Sequence, residues 1–498
     1  MIYRNLGGIL VDEITDIIQI KNEVLKKVCE YAYEGTLEEH VDQIPFEIIK
    51  GITPRFRCCV YREREIIRQR VRLAMGKLPA DSVYTDLDPS QVVHVIPCAC
   101  EGCPIARYTV TDNCQSCLAQ KCIKACRFGA IYKTPKGAVI DPKKCKKCGK
   151  CYEACPYHAI VDMERPCKRA CPVNAISIDE NDIAIIDKKK CINCGACVVG
   201  CPFGAISDLS MVTNVIKEIL DPSVHVYAIV APAVEGQFGQ DISLSKIMAA
   251  TKLLGFDDVY EVALGADAVA YNESQELLER YEKGEKMTSS CCPSFVNLIE
   301  QHFPDLKPYV STTVPPMVAA AQYVKSLDPD GIVVFIGPCI TKKSDVLSHY
   351  IDQIQYVLTF EELLAMFQTK QINPAEMEVS AEEDATSYGK GFAKSGGVAA
   401  AVLRAIDELG ETPELNVVRC NGIQECMKTL RMLKAGRLSE DFIEGMGCVG
   451  GCIAGPASIK EPAEVRRGFD KFADNKNHDI IATNKEKKLD QLHLHQHQ

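Results

Sequence analysis

Cysteine spacing constrains this chain more than any other feature. Of its 27 cysteines, 17 fall between Cys98 and Cys201. Cys145, Cys148, Cys151 and Cys155, followed by Pro156, form a C-x2-C-x2-C-x3-C-P run, and Cys191, Cys194, Cys197 and Cys201, followed by Pro202, repeat it. A small secreted domain would pair so many thiols as disulfides. A chain of 498 residues can build cores without them, and this spacing suits metal binding. In such runs the first three thiolates hold one 4Fe–4S cluster and the fourth reaches the neighbouring cluster. A short apolar stretch follows each run (Tyr157-His158-Ala159-Ile160 and Phe203-Gly204-Ala205-Ile206), as the repeated half of a two-cluster ferredoxin-like fold would require.

Weaker copies surround these runs. Cys114, Cys117, Cys122 and Cys126 form an expanded version in which Arg127 replaces the proline. Cross-ligation then assigns Cys114, Cys117, Cys122 and Cys155 to one cluster, and Cys145, Cys148, Cys151 and Cys126 to a second. The truncated half Cys167-x3-Cys171-Pro172 lends Cys171 to a third with Cys191, Cys194 and Cys197. Cys167 and Cys201 remain, and two of the three thiols Cys98, Cys100 and Cys103 would complete a fourth cluster. His94, within Val92-Val93-His94-Val95-Ile96, reads as a strand residue.

The rest of the chain divides around this module, expected over residues 90–208. Residues 1–85 read as helical, with apolar residues recurring through Ile14-Thr15-Asp16-Ile17-Ile18-Gln19-Ile20 and Val24, Leu25 and Val28, then a charged helix from Tyr61 to Leu78. Their role is not legible, and the adjacent Cys58 and Cys59 read as packing. From 222 to 470 strands alternate with helices. Val224–Val230, Ile332–Ile336 and Leu415–Val418 are strand candidates; Leu244–Leu254, Ala266–Lys283 and Gly397–Leu409 are helix candidates. The expected fold class is an α/β domain with open sheets, beside an α+β ferredoxin-like domain and a helical N-terminal segment. Sites in open α/β sheets form where loops leave the strand ends. Residues 471–498 are polar, end in His493-Leu494-His495-Gln496-His497-Gln498, and read as a disordered tail. The net charge of -10 argues against a nucleic-acid footprint, whereas Lys143-Lys144 and Lys188-Lys189-Lys190 would screen clusters or receive an acidic electron carrier. No apolar run approaches the ~18 residues of a membrane span, and Met-Ile-Tyr-Arg-Asn opens no hydrophobic leader, so a reducing cytoplasm is expected.

Three segments past the module share a thiol-and-glycine character: Ser290-Cys291-Cys292-Pro293, Gly337-Pro338-Cys339-Ile340-Thr341-Lys342-Lys343, and Met446-Gly447-Cys448-Val449-Gly450-Gly451-Cys452-Ile453-Ala454-Gly455-Pro456. Over roughly residues 95 to 465 the chain resembles the iron-only (FeFe) hydrogenases. Ser395-Gly396-Gly397-Val398 and Phe303-Pro304-Asp305-Leu306 also match. The resemblance implies that Cys292, Cys339, Cys448 and Cys452 hold a 4Fe–4S cluster. Cys452 would also bridge to a two-iron subcluster bearing CO, cyanide and a dithiolate. Lys342 would donate to a cyanide, and Pro232, in Ala231-Pro232-Ala233, would pack against the subcluster. Away from this motif, Lys342-Lys343 would read as a solvated pair.

For protons, Cys291 sits beside a ligand yet is spare as one. Glu273, Glu276 and Arg280 are spaced to share a helix face, which alone is an ordinary charge stripe. The resemblance makes Cys291, Glu273, Ser311 and Glu276 a relay with Arg280 near its exit, and raises His94 as a ligand to a peripheral cluster. It implies reversible interconversion of dihydrogen with protons and electrons, exchange with ferredoxin or a similar soluble carrier, and dedicated maturation proteins. Several positions depart from the family's pattern. Ser289 replaces a threonine, Phe295 a tryptophan, Gly337 a methionine, Ala233 a serine and Val314 a lysine, while Gly455-Pro456 replaces a glycine-rich ending. Cys420 and Cys426, flanking Asn421-Gly422, read as buried thiols. Two other classes compete: an iron–sulfur assembly carrier without a two-iron unit, and a gas or redox sensor.

Overall fold

A computed structural model describes residues 16–57, 59–80, 86–103, 106–239, 241–378, 384–474 and 477–495, with 4–6 and 9–11 as backbone alone. Cys58 lies outside this set; Cys59 caps the helix Val60–Ala74, its sulfur accepting from the Arg62 N–H.

Two parallel sheets organise the chain beyond residue 222. The larger runs Asp258–Glu261, Val226–Val230, Ile332–Ile336, Tyr356–Leu358, all parallel. The smaller runs Met287–Thr288, Phe442–Met446, Val417–Asn421, also parallel. Parallel strands covered on both faces become continuous apolar runs, which is why Val226–Val230 and Ile332–Ile336 are legible from sequence. The long helix Val262–Glu282 packs on Pro316–Leu327 and Gly397–Glu408. The expected α/β class is therefore observed, as are helices Leu244–Lys252 and Gly397–Glu408.

The cysteine-rich region is built from short antiparallel pairs: Tyr108–Val110 with Ile160–Asp162, Ile131–Thr134 with Gly137–Ile140, Val93–Val95 with Ile206–Asp208, and Ile176–Ile178 with Ala184–Ile186. His94 lies buried in the third of these, opposite Ser207. Single-turn helices carry the thiols, at Lys121–Ala125, Lys150–Ala154, Pro166–Ala170 and Ala196–Gly200.

The N-terminal segment, expected to be helical, starts with an antiparallel strand pair, Arg4–Leu6 with Ile9–Val11, and is helical from Asp16; it ties the other parts together. Its Asp16–Glu34 helix lays Val24, Leu25, Val28 and Cys29 into one core with Phe360, Leu363 and Phe367. Beneath it runs a buried ion network. Lys343 Nζ bonds Asp208 Oδ2 at 2.7 Å, Glu362 Oε1 at 3.0 Å and the Leu209 carbonyl at 2.9 Å, and Lys21 bonds Asp208 at 3.1 Å. Burial opposes the charge on Asp208, but the two ammonium groups outweigh it and hold its carboxyl well below the usual carboxylate range. Lys343 is thus fully buried, unlike a solvated pair partner.

The disordered tail expected over 471–498 is corrected by the structure for its described part. Helices Pro462–Ala473 and Ile480–Glu486 form there, and Ile480, Leu489 and Leu494 are buried. The Asn484 side chain donates to the Asp267 carbonyl at 3.1 Å, docking the tail on Val262–Glu282. Those few apolar anchors were masked by polar neighbours. Residues 496–498, with His497, lie outside the described set. Among the described residues no helix is long and apolar enough to cross a membrane.

Candidate active site

Four strands end at one cleft. Val226–Val230 leads into Ala231-Pro232-Ala233, Ile332–Ile336 into Pro338 and Cys339, Met287–Thr288 into Cys291 and Cys292, and Phe442–Met446 into Gly447 and Cys448. Topology brings together residues that lie far apart in sequence, because parallel strands point their C-terminal ends the same way. The cleft has a cavity volume of about 80 Å³, and Cys291, Cys292, Cys339, Cys448, Cys452, Lys342 and Pro232 all line it. Its remaining walls are mostly apolar, with Val262, Ala266, Phe335, Phe392 and Met446.

The thiols fit a cluster. Burial pushes the Cys452 thiol up to about 12, with the facing Cys339 and Cys292 adding to the push. Cys448 is driven up by burial, then by Cys339, Cys292 and Cys452. Four thiolates crowded in an apolar cleft are stable only around compensating cationic metal. No three His, Cys, Asp or Glu side chains among the described residues are arranged to hold a single metal ion. The Lys342 ammonium acts on both Cys292 and Cys452 and lies 4.7 Å from the Phe335 ring centroid.

The Phe335 ring also crowds Gly337. A Cβ-bearing residue at 337 would put that atom 2.6 Å from the ring's Cζ, so the ring occupies the room a methionine side chain would need. Phe295 likewise lies flat against Gly445, where a Cβ would fall 2.2 Å from the ring.

From Cys291 a polar line leaves the cleft. Glu273 is fully buried, and its Oε1 accepts from both the N–H and the hydroxyl of Ser290 at 3.3 Å. Burial raises its pKa to about 8, against the lowering effect of the Ser290 N–H bond. Cys291 is pushed up by burial and then by Glu273. The Ser311 hydroxyl donates to Glu276 Oε2 at 2.7 Å, and Arg280 donates to Glu276 Oε1 at 2.7 Å. Arg280 also bonds the Pro308 carbonyl at 2.9 Å, which fixes it beside the helix end. Hydrogen bonds thus join Ser311, Glu276 and Arg280, whereas Glu273 is bonded through Oε1 to Ser290 and its Oε2 has no hydrogen-bond partner among the described residues.

Sequence reasoning missed three contributors. Ser290 orients Glu273, the Thr312 N–H bonds both Glu276 oxygens at 3.0 and 3.1 Å, and His495 of the tail bonds the Thr312 hydroxyl at 2.9 Å. Ser290 was adjacent to the thiol pair and open to suspicion; His495 carried no signal.

In the ferredoxin-like region several thiols face one another. Cys122 feels Cys155 and Cys117, Cys151 feels Cys145 and Cys126, and Cys194 feels Cys191 and Cys171. Cys194 also acts on Cys448, so the third set adjoins the cleft. There the Thr341 hydroxyl donates to the Asn193 carbonyl at 3.1 Å and shares a 2.6 Å bond with Ser294. Cys420 and Cys426 are buried, as expected, with Cys420 donating to the Thr429 hydroxyl.

Residues 224–456 match the family "Iron only hydrogenase large subunit, C-terminal domain". Residues 138–161 match "4Fe-4S binding domain" and 161–212 match "LdpA Fe-S cluster-binding domain". Iron hydrogenase 1 of Clostridium pasteurianum is 29% identical over 372 residues, covering 64% of this chain and 64% of that protein. Cytosolic iron-sulfur assembly component 3 of Rattus norvegicus is 23% identical over 275 residues, 44% of this chain and 57% of that protein. The chain therefore spans less than two thirds of either relative. A solved FeFe-hydrogenase structure shares the fold at TM-score 0.50 and 22% identity, covering 58% of this chain and 98% of that one.

Proposed function

We propose that this chain, whose residues 224–456 match the C-terminal domain of the iron-only hydrogenase large subunit, interconverts dihydrogen with two protons and two electrons. The observation that carries this reading is the convergence of four thiols, the spare Cys291 and Lys342 on one apolar-walled cleft from which Glu273 leads outward. Cys292, Cys339, Cys448 and Cys452 would hold a 4Fe–4S cluster, Cys452 also binding a two-iron subcluster with CO, cyanide and a dithiolate bridge. When bound, that group supplies the redox chemistry of dihydrogen. Lys342 would anchor its anionic ligands by charge-assisted hydrogen bonds, and the apolar walls exclude water.

The side chains of this chain move the protons. Cys291 exchanges one with the cleft, Glu273 takes it up at a pKa of about 8, and the Ser311 hydroxyl hands it to Glu276 beside Arg280. Cys194 and the other cluster cysteines of residues 90–208 would hold 4Fe–4S clusters, which would supply electron exchange with ferredoxin or a similar soluble carrier in the cytoplasm.

The assembly-protein relative supplies the competing reading, a carrier of clusters without hydrogen turnover. A carrier has no use for a buried carboxylate path ending at a spare thiol, which favours the enzyme. Infrared spectra of the matured protein decide between them. CO and cyanide stretches together with dihydrogen–deuterium exchange are expected. Cluster signals without those bands would overturn the proposal in favour of the carrier.

A further inference from the structure

The chain folds what sequence spacing presents as one cysteine-rich stretch into two copies of one unit. The first copy occupies 106–162. A strand, Tyr108–Val110, precedes Cys114-x2-Cys117; a turn of helix carries Cys122; and the hairpin of Ile131–Thr134 and Gly137–Ile140 follows. Then come the Cys145, Cys148, Cys151 run and Cys155, and a last strand, Ile160–Asp162, pairs back onto the first. Residues 166–208 repeat the second part of this order: the helix Pro166–Ala170 with Cys167, a hairpin, the Cys191, Cys194, Cys197 run, Cys201, and the strand Ile206–Asp208. That strand pairs not with a local partner but with Val93–Val95, before the first copy begins.

Backbone detail identifies the missing piece. In each complete run the residue before the second cysteine is left-handed: Ser116 at φ 49°, Lys147 at 55° and Asn193 at 53°. Gly102, before Cys103 in Cys100-x2-Cys103, has φ 54°. The end of each half repeats too. The N–H of Ala130, Ala159, Ala175 and Ala205 donates to the sulfur of the cysteine four residues back, at 3.2 to 3.4 Å. Cys201 therefore stands in the second copy where Cys155 stands in the first, and Cys167 stands where Cys122 does.

We propose that residues 93–103 and 166–208 are a single two-cluster unit, split between its second and third ligands by insertion of a complete second unit, and that Cys100, Cys103, Cys167 and Cys201 hold its fourth cluster. This rests on the cluster reading above and settles which two of the three upstream thiols take part. The thiols themselves agree with it: Cys167 lies near enough to Cys201, Cys100 and Cys103 to interact with each of them. Cys98 falls two residues before the repeat, at the 3-10 turn Pro97–Ala99. The N-terminal segment clamps this site. Arg62 bonds the Cys98 carbonyl at 3.0 Å and Glu101 at 3.3 Å, and Arg57 bonds Glu101 and the Phe203 carbonyl.

Full-length Cys103→Ser, Cys167→Ser and Cys98→Ser, reconstituted anaerobically, test the assignment through iron and sulfide content and the Mössbauer spectrum. Cys103→Ser and Cys167→Ser are each expected to lose one cluster's iron, about four atoms per chain, while Cys98→Ser keeps the full complement. If a variant fails to fold, thiol footprinting of the unaltered protein replaces it: Cys100, Cys103, Cys167 and Cys201 should become alkylated together when iron is chelated. Loss of iron in Cys98→Ser with retention in Cys103→Ser would overturn the ligand set, and retention in all three would overturn the cluster. None of these readouts involves the two-iron unit, so the assignment fails or survives separately from hydrogen turnover.

Discussion

The buried carboxylate of Glu273 takes two hydrogen bonds at 3.3 Å from a single residue, Ser290, whose chain neighbour is Cys291. Both bonds favour the charged form, while burial, the larger influence, raises the pKa to about 8. Ser290→Ala removes the hydroxyl bond and should raise it further, read as an alkaline shift of the carboxylic acid band in infrared titration. No shift would mean that the hydroxyl does not tune this group.

Glu273 also makes the fold pH-sensitive. Its native pKa of about 8 exceeds the ordinary 4.5, so between those values the folded chain binds more protons than the unfolded one. This contribution to stability is complete below about pH 4.5 and is lost as pH rises toward 8. Glu273→Gln should flatten that part of the thermal-stability profile and cost roughly 10²–10⁴-fold in turnover. An unchanged profile would show that the carboxyl is ionised in the native state.

Cys291→Ala separates proton transfer from cofactor binding. Cys291 lines the cleft beside Cys292, so its loss should leave the CO and cyanide bands in place and remove most turnover, roughly 10²–10⁴-fold. Near-normal activity would refute its role as the acid and base at the cleft.

How much of this was legible in the sequence depends on whether the signal was local. Cys292, Cys339, Cys448 and Cys452 announce themselves because each lies in a short motif at a strand end. Glu273 and Glu276 are ordinary helix-face residues until tertiary packing buries one and bonds the other to Ser311. Cys167 and Cys201 could be joined only to an unspecified two of Cys98, Cys100 and Cys103, because the pairing of Val93–Val95 with Ile206–Asp208 is a long-range relation that spacing does not carry. Lys343 was misleading for a related reason. Its partners Asp208 and Glu362 come from different parts of the chain, so nothing beside it marked it as buried.

Gly195 tests the junction between clusters. It holds φ 74° next to Cys194, and a Cβ there would fall 2.8 Å from Pro456 and 2.9 Å from Ile340. Gly195→Ala must push the Cys194 loop away from the cleft. Carrier-linked activity should fall while dihydrogen–deuterium exchange, which needs only the cleft, persists. Equal loss of both would place the damage in the catalytic domain instead.

Lys343→Met tests whether the buried ion network holds the parts of the chain together. The substitution keeps much of the side-chain volume but leaves Asp208 and Glu362 without the ammonium that both contact. Removing one partner from such a buried set costs about 3–5 kcal/mol, because the remaining charges stay desolvated. Lys21 still pairs with Asp208 at 3.1 Å, so Glu362 bears most of the loss. Thermal unfolding of the cluster-loaded protein should therefore shift downward clearly. In the unaltered chain the depressed pKa of Asp208 adds stability that is fully present above about pH 3.8 and is lost as pH falls below it. The variant should show a weaker acid dependence, since one of the two cations holding that carboxyl down is gone. A variant as stable as the parent, with the same acid limb, would mean that the network is hydrated and contributes little to holding Asp208, Glu362 and Lys21 in register.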